Sequence, residues 1–147
     1  MATVELRFSA LPEHVRTARL VAAAVARRAG VDEAVLDEVR LAVGEACTRA
    51  VGLHQSGGIT APVRVALIEE EKQFSIEVGD EAPRSVPGAS APGEADTDSE
   101  DDEMGLAVIS GLVDDVEVTA DEHGGLIRMT WPTTPAETAP QGASALP

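Results

Sequence analysis

The chain is poor in aromatic residues and in positive charge. Its 147 residues include two Phe, one Trp and no Tyr, which argues against a module that stacks nucleic-acid bases on aromatic rings. Lys and Arg total 11 against 26 Asp and Glu, so the formal net charge is −15. Such a charge repels DNA, RNA and anionic membrane surfaces and favours basic protein partners. We therefore predict no direct binding to nucleic acid or membrane.

The chain also lacks a second cysteine and any long apolar run. Cys47 stands alone, which excludes an intramolecular disulfide, and its place on an apolar helical stripe predicts a buried, unreactive thiol. No apolar run approaches the ~20 residues that a membrane span needs. The N-terminus has none of the features of a signal peptide. These absences predict a cytoplasmic protein.

The stretch from Asp37 to His54, DEVRLAVGEACTRAVGLH, carries the most information. Its apolar residues recur at spacings of three and four, which predicts a helix with one buried side. On that helix Glu45 and Arg49 lie one turn apart on the same side. They form either an ordinary surface ion pair, worth about 0.2–0.5 kcal/mol, or part of a site in which the carboxylate acts as a base or a metal ligand.

The rest of the chain predicts an α+β fold. Alternation of apolar and polar residues, proline and glycine positions, and capping residues predict the elements in order. These are a strand over 3–8, helices over 12–29 and 32–55, strands over 63–68 and 73–78, a short helix over 104–112, and strands over 116–119 and 126–131. Hairpins dominate this order, so we predict a two-layer α/β sandwich with a mixed, mostly antiparallel sheet and helices on one face.

The predicted domain spans residues 1–131. Residues 81–103 contain three prolines and the acidic run GEADTDSEDDE, a composition that cannot bury enough apolar surface to offset the entropy of ordering. We predict a mobile acidic loop there. Residues 132–147 are rich in Pro, Ala and Thr and are predicted to be a disordered tail.

Three motifs in order resemble those of the GHKL ATPase superfamily. They are LAVGEACTRAV (41–51), FSIEVGDEAP (74–83) and MGLAVISGLVDDVEV (104–118). More narrowly, the chain resembles the anti-sigma-factor serine kinases of the SpoIIAB and RsbW type. The resemblance implies the Bergerat two-layer fold, ATP and Mg²⁺ as cofactors, a homodimer, and two partners, a sigma factor and a STAS-type anti-anti-sigma factor.

The first motif keeps its base and loses its metal ligand. By resemblance Glu45 is the general base, and Arg49 occupies the position of the Asn that holds magnesium. Mg²⁺ takes hard oxygen ligands, whereas a guanidinium has only donors and a fixed positive charge. Arg49 therefore cannot ligate the ion, so we predict no metal ligand. It could pair with Glu45, or contact phosphate directly in place of the metal.

The other two motifs are also incomplete. By resemblance Asp80 accepts the adenine amino group, but the two glycines that follow in the family are replaced here. The alternative for Asp80 is a turn aspartate that bonds its own backbone. The lid end retains Gly105 and Leu106 as nucleotide-binding residues, yet the acidic run directly before them opposes a triphosphate. All three motifs thus keep one framework residue and lose an accessory one.

The predicted function is an anti-sigma-type transcription regulator that acts by partner binding and has a degraded ATP site. One alternative is an active serine/threonine kinase that phosphorylates an anti-anti-sigma factor. An alternative from another class is an acidic decoy that mimics nucleic acid. The strand over 3–8 is a candidate dimer edge. The three histidines have no metal-ligand spacing, and His54 is expected to interact with the free carbonyls at the end of its helix.

Overall fold

The computed structural model describes residues 2–83 and 106–133. Within these ranges two helices and a five-stranded sheet form the fold, and a short helical segment follows the gap. The elements are β1 (Ala2–Phe8), α1 (Pro12–Ala29), a 3₁₀ turn (Glu33–Val35), α2 (Leu36–Ser56), β2 (Val63–Glu69), β3 (Gln73–Asp80), α3 (106–112), β4 (Asp115–Asp121) and β5 (Gly124–Pro132). Every element predicted from the sequence is present in these ranges.

The sheet has the strand order β1-β2-β3-β5-β4, and all four pairings are antiparallel. β3 is therefore the central strand, and β1 and β4 are the edges. Buried apolar residues alternate along the three inner strands, so one face of the sheet meets the helices. These residues are Val63, Val65, Leu67, Phe74, Ile76, Val78, Ile127, Met129 and Trp131. The predicted α+β sandwich with helices on one face is confirmed.

Small side chains join the two long helices. The buried side of α1 is largely alanine (Ala18, Ala22 and Ala26), and so is that of α2 (Ala42, Ala46 and Ala50). Alanine keeps a helix stable at no side-chain entropy cost and lets two helices approach closely. Larger residues of α2, such as Val39 and Val43, fill the space above the sheet. This packing fixes the orientation of α2 and of the polar side chains that it carries.

The helix ends follow the predicted signals. α1 begins at Pro12 and is closed by Gly30, whose φ of 104° is left-handed and whose amide caps the Arg27 carbonyl. Glycine adopts that conformation without steric cost. Asp32 caps the 3₁₀ turn through the Ala34 amide at 3.0 Å, so it starts α2 indirectly.

Two predicted segments fall on residues outside the described ranges. They are the acidic loop from residue 84 onward and the tail from residue 134 onward, and Gly105 also lies outside. Among the described helices, none is both long enough and apolar enough to cross a membrane.

Candidate functional site

The α2 helix presents Glu45 and Arg49 side by side, both half-buried. The buried stripe of α2 lies against the sheet, so the two side chains occupy the border between core and surface. In residues 2–83 and 106–133 no ion pair joins them, and the Glu45 carboxylate has no hydrogen-bond partner there. Arg49 takes part in an interaction other than a pair with Glu45. Of the two alternatives that the spacing left open, the surface ion pair between Glu45 and Arg49 is therefore absent from the structure.

Asp80 ends the central strand and is 6% exposed. Its Oδ1 atom accepts hydrogen bonds from the Ala82 amide at 2.9 Å and from the Gly125 amide at 3.2 Å. The first bond is the local turn that the sequence offered as one reading of Asp80. The second bond ties the end of β3 to the start of β5. Asp80 takes part in a further interaction as well. Its carboxylate therefore connects the end of β3 with the start of β5.

The backbone of Gly124 lies in close contact with the backbone of Asp80 and Glu81. A Cβ atom at position 124 would lie 2.1 Å from the Asp80 carbonyl oxygen, and the φ of Gly124 is 150°. No other residue type fits that approach, because real Cβ atoms need more than 3 Å. The start of β5 therefore forms one wall of the site.

A polar cleft of about 260 Å³ opens beside Asp80. Its walls include Glu81, Arg64 and the turn residues Asp121 and His123. Arg64 lies over Gly79, since a Cβ added there would meet its guanidinium at 3.0 Å. Three carboxylates, those of Asp80, Glu81 and Asp121, face one arginine in this cleft, so its lining is acidic overall.

Leu106 is half-buried and packs against the core. It stands at the start of the helical residues 106–112, where the resemblance places the end of a nucleotide lid. Ile109 in the same segment is fully buried. Leu106 therefore helps to anchor α3 on the sheet.

His54 is a residue whose role the sequence reasoning missed. It is fully buried, and its ring bonds the Ala61 carbonyl at 2.9 Å and the Glu81 amide at 2.8 Å. The expected contact with the carbonyls at the end of its own helix is wrong. Its position could have been inferred, because His54 follows Cys47 and Ala50 in the same three- and four-residue spacing as the buried stripe. Its partners could not, because they come from distant segments.

Cys47 is buried as predicted. Burial raises the pKa of its thiol from 9.0 to about 12. A thiol with such a pKa holds almost no thiolate at neutral pH, and the thiolate is the reactive form. Cys47 is therefore a packing residue of α2.

Comparison with known proteins identifies the family. The family model described as "Histidine kinase-like ATPase domain" matches residues 8–131. The chain belongs to this family. Two named proteins are similar in sequence to this histidine kinase-like ATPase domain. They are a serine-protein kinase RsbW from Oceanobacillus iheyensis, 27% identical over 86% of this chain and 84% of the relative, and an anti-sigma F factor from Clostridium acetobutylicum, 29% identical over 83% of this chain and 87% of the relative.

A solved structure has the same fold as this histidine kinase-like ATPase domain. It contains the RsbU and RsbW domains of a Mycobacterium tuberculosis protein and superimposes with a TM-score of 0.65 at 16% sequence identity. The match covers 92% of this chain and 34% of the other. The present chain thus spans about a third of that protein. The resemblance inferred from the three motifs is confirmed at the level of family and fold.

Members of the histidine kinase-like ATPase family generally bind ATP with magnesium, so both ligands bear on the chemistry of these residues. By the motif resemblance Arg49 occupies the magnesium position, and its guanidinium offers no lone pair to a cation. By the same resemblance Asp80 occupies the adenine position, and its Oδ1 atom already accepts hydrogen bonds from two backbone amides. Arg49 therefore does not fit a magnesium ion, and Asp80 would offer adenine a carboxylate that already accepts two hydrogen bonds.

Proposed function

We propose that this domain is an anti-sigma-type transcription regulator with a degraded ATP site. It would bind a sigma factor and release it when a STAS-type anti-anti-sigma factor competes. The observation that carries the proposal is Arg49, a fixed cation half-buried one turn after Glu45 on α2. A regulator that works by protein binding needs the scaffold of this fold but not its metal.

The relatives support the partner classes of this proposal. One bears the name anti-sigma F factor and another the name serine-protein kinase RsbW. The net charge of −15 suits a basic partner and would speed their encounter. A homodimer is part of the proposal, and β1 supports it because it is an edge strand of the sheet. A regulator of this class works in the cytoplasm, where its partners are.

The proposal is tested by direct capture. Sigma factors and STAS-type proteins from the same organism are purified one by one and titrated against the immobilised domain. Binding of one sigma factor, displaced by one STAS-type protein, is the expected result. If no sigma factor and no STAS-type protein binds, the regulator proposal fails.

Calorimetry with Mg-ATP tests the degraded site. We expect no binding, or binding weaker than about millimolar, because the metal position carries a positive charge. Arg49→Asn should strengthen binding at least tenfold. Arg40→Asn is the matched control, since it removes an arginine from the same helix that pairs only with Asp37 among the described residues. Equal effects of the two substitutions would contradict the degraded-site model.

An active protein kinase is the second candidate. It is favoured by Glu45, which is half-buried and has no ion-pair partner within the described residues, so its carboxylate remains available as a base. The kinase would transfer phosphate from ATP to a STAS-type partner. In that case Glu45→Gln should abolish transfer, and Arg49→Asn should lower it because Arg49 contacts phosphate. Transfer that survives Glu45→Gln would exclude Glu45 as the base.

A further inference from the structure

The His54 imidazole has a single possible tautomer in this fold. It is fully buried, and its Nε2 atom lies 2.8 Å from the Glu81 amide nitrogen. A backbone amide can only donate, so Nε2 must be the unprotonated acceptor. The proton therefore sits on Nδ1, which donates to the Ala61 carbonyl at 2.9 Å. The ring is neutral, and both of its nitrogens are used.

These two bonds join three separate segments. His54 belongs to the last turns of α2, Ala61 precedes β2, and Glu81 follows β3. The bonds span 7 and 27 residues of sequence. The ring thus fastens the end of the helix that carries Glu45 to the end of the strand that carries Asp80.

The backbone at Glu81 is held from both sides. The amide of Glu81 donates to His54, and the amide of the next residue, Ala82, donates to Asp80 Oδ1. Ala82 itself is 7% exposed. Two successive amides are therefore fixed by two buried side chains, so the direction in which the chain leaves β3 is set by His54 and Asp80 together.

We propose that His54 is a positioning residue of the candidate site. It holds the backbone of residues 80–82 against α2, and it thereby sets the position of Asp80 relative to Glu45. Glu45 lies nine residues earlier on the same rigid helix, about 13.5 Å along its axis. The two hydrogen bonds of His54 are features of the free protein and do not depend on the proposed function. Only the identity of the molecule that the site binds rests on that function.

Two substitutions separate the bonds of His54. His54→Asn places an amide nitrogen where Nδ1 lies, so it keeps the bond to Ala61 and leaves the Glu81 amide without an acceptor. His54→Gln places an amide oxygen near the position of Nε2, so it keeps the bond to Glu81 and leaves the Ala61 carbonyl without a donor. Each variant leaves one backbone group unsatisfied, so both should lose a similar amount of stability.

The first readout needs no ligand. Long-range ¹H–¹⁵N spectra of the wild-type imidazole should show the neutral Nδ1–H tautomer. Hydrogen exchange at the Glu81 amide should be slow in the wild type and in His54→Gln, and at least tenfold faster in His54→Asn. An Nε2–H tautomer, or equal exchange at Glu81 in both variants, would overturn the inference.

The second readout is binding. The probes are Mg-ATP on the Arg49→Asn background and the sigma factor captured by the wild type. Where either probe binds, His54→Asn should weaken it about tenfold more than His54→Gln does. Equal losses would reduce His54 to a stabilising residue and overturn its positioning role. If neither probe binds, the proposed function fails, whereas the inference is still decided by the tautomer and by the exchange at Glu81.

Discussion

At the scale of single residues, Gly52 and Gly124 have opposite structural requirements. Gly52 lies in the interior of α2 and is exposed, and a Cβ added there would meet nothing within 4 Å. Glycine in a helix costs about 0.5–1 kcal/mol relative to alanine, mainly through backbone entropy. Gly52→Ala should therefore raise the free energy of unfolding by that amount in urea titrations.

Gly124→Ala is the matched contrast. The new methyl group would overlap the Asp80 carbonyl oxygen, and the backbone has a φ of 150°. Strain of this kind costs about 1–3 kcal/mol, and overpacking costs a similar amount. We expect a loss of about 3 kcal/mol in the same titrations, with amide shifts around Asp80 and Gly125. Wild-type stability of this variant would contradict the close approach.

Cys47 makes stability depend on alkaline pH. Its pKa is about 12 in the folded protein against 9.0 for the free thiol. Above pH 9 the unfolded chain releases this proton and the folded chain keeps it, so stability falls as pH rises, by at most about 1.4 kcal/mol per pH unit. Below pH 9 the contribution is constant.

Cys47→Ala tests this dependence. The variant should be less stable than the wild type at pH 8, because the smaller side chain leaves a cavity. The difference should shrink between pH 9 and 10.5, since only the wild type loses the thiol contribution. Parallel curves of unfolding free energy against pH would show that the thiol is not the cause. A thiol reagent should label Cys47 only when the protein unfolds.

At the scale of elements, the pairing of β3 with β5 has a polar ladder on the face away from the helices. Arg128 pairs with Glu77 at 2.5 Å, and the two side chains are 29% and 26% exposed. Arg128 also donates to Ser75 at 3.3 Å, and Ser75 bonds Thr130 at 3.0 Å. Partial burial should make this pair stronger than a typical surface ion pair.

A double-mutant cycle with Glu77→Gln and Arg128→Gln measures the strength of that pair. We expect a coupling free energy of about 1 kcal/mol, near the upper end for cross-strand pairs. The control cycle uses Arg27 and Glu33, whose side chains are 60% and 75% exposed, and whose coupling should be below about 0.5 kcal/mol. Equal coupling in both cycles would mean that burial adds nothing here.

Local signals explain which elements could be predicted. α1 runs over the predicted residues because Pro12 fits the first turn and Gly30 ends it. β3 extends two residues past the prediction, because Gly79 and Asp80 pair with Leu126 and Gly125. Alternation in β3 alone could not indicate that distant partner.

Only one part of the candidate site could be predicted from the sequence, namely the placement of side chains that follows from the repeat of the α2 helix. Glu45 and Arg49 share a side of α2 because they are four residues apart. Whether they pair depends on side-chain rotamers and on neighbours from other segments, which the spacing does not contain. The bond from Gly125 to Asp80 spans 45 residues, and it follows from the sheet register. His54 was misassigned for the same reason.

At the scale of the whole molecule, the net charge of −15 opposes compaction. Self-repulsion among like charges destabilises a folded chain, and salt screens it over about 10 Å at 0.1 M. Raising NaCl from about 20 to about 200 mM should raise the melting temperature by a few degrees. The response should shrink near the pH of zero net charge. A melting temperature that falls with salt would mean that ion pairs outweigh repulsion.

The strand order also constrains how the chain assembles. β3 and β5 meet through residues 45 to 59 positions apart, from Asp80 with Gly125 to Gln73 with Pro132. Closing such a loop costs entropy before any contact compensates for it, which slows folding. β1 and β2 meet at separations at least as large, from 55 positions for Phe8 with Val63 to 67 for Ala2 with Glu69. The wall of the site at Gly124 and Gly125 belongs to the β4–β5 hairpin, which joins the rest of the sheet only through the long-range pairing of β5 with β3. A ligand that binds both Asp80 and the β4–β5 hairpin would hold the two ends of this long-range pairing together. Binding of such a ligand would therefore mainly slow the unfolding of the domain.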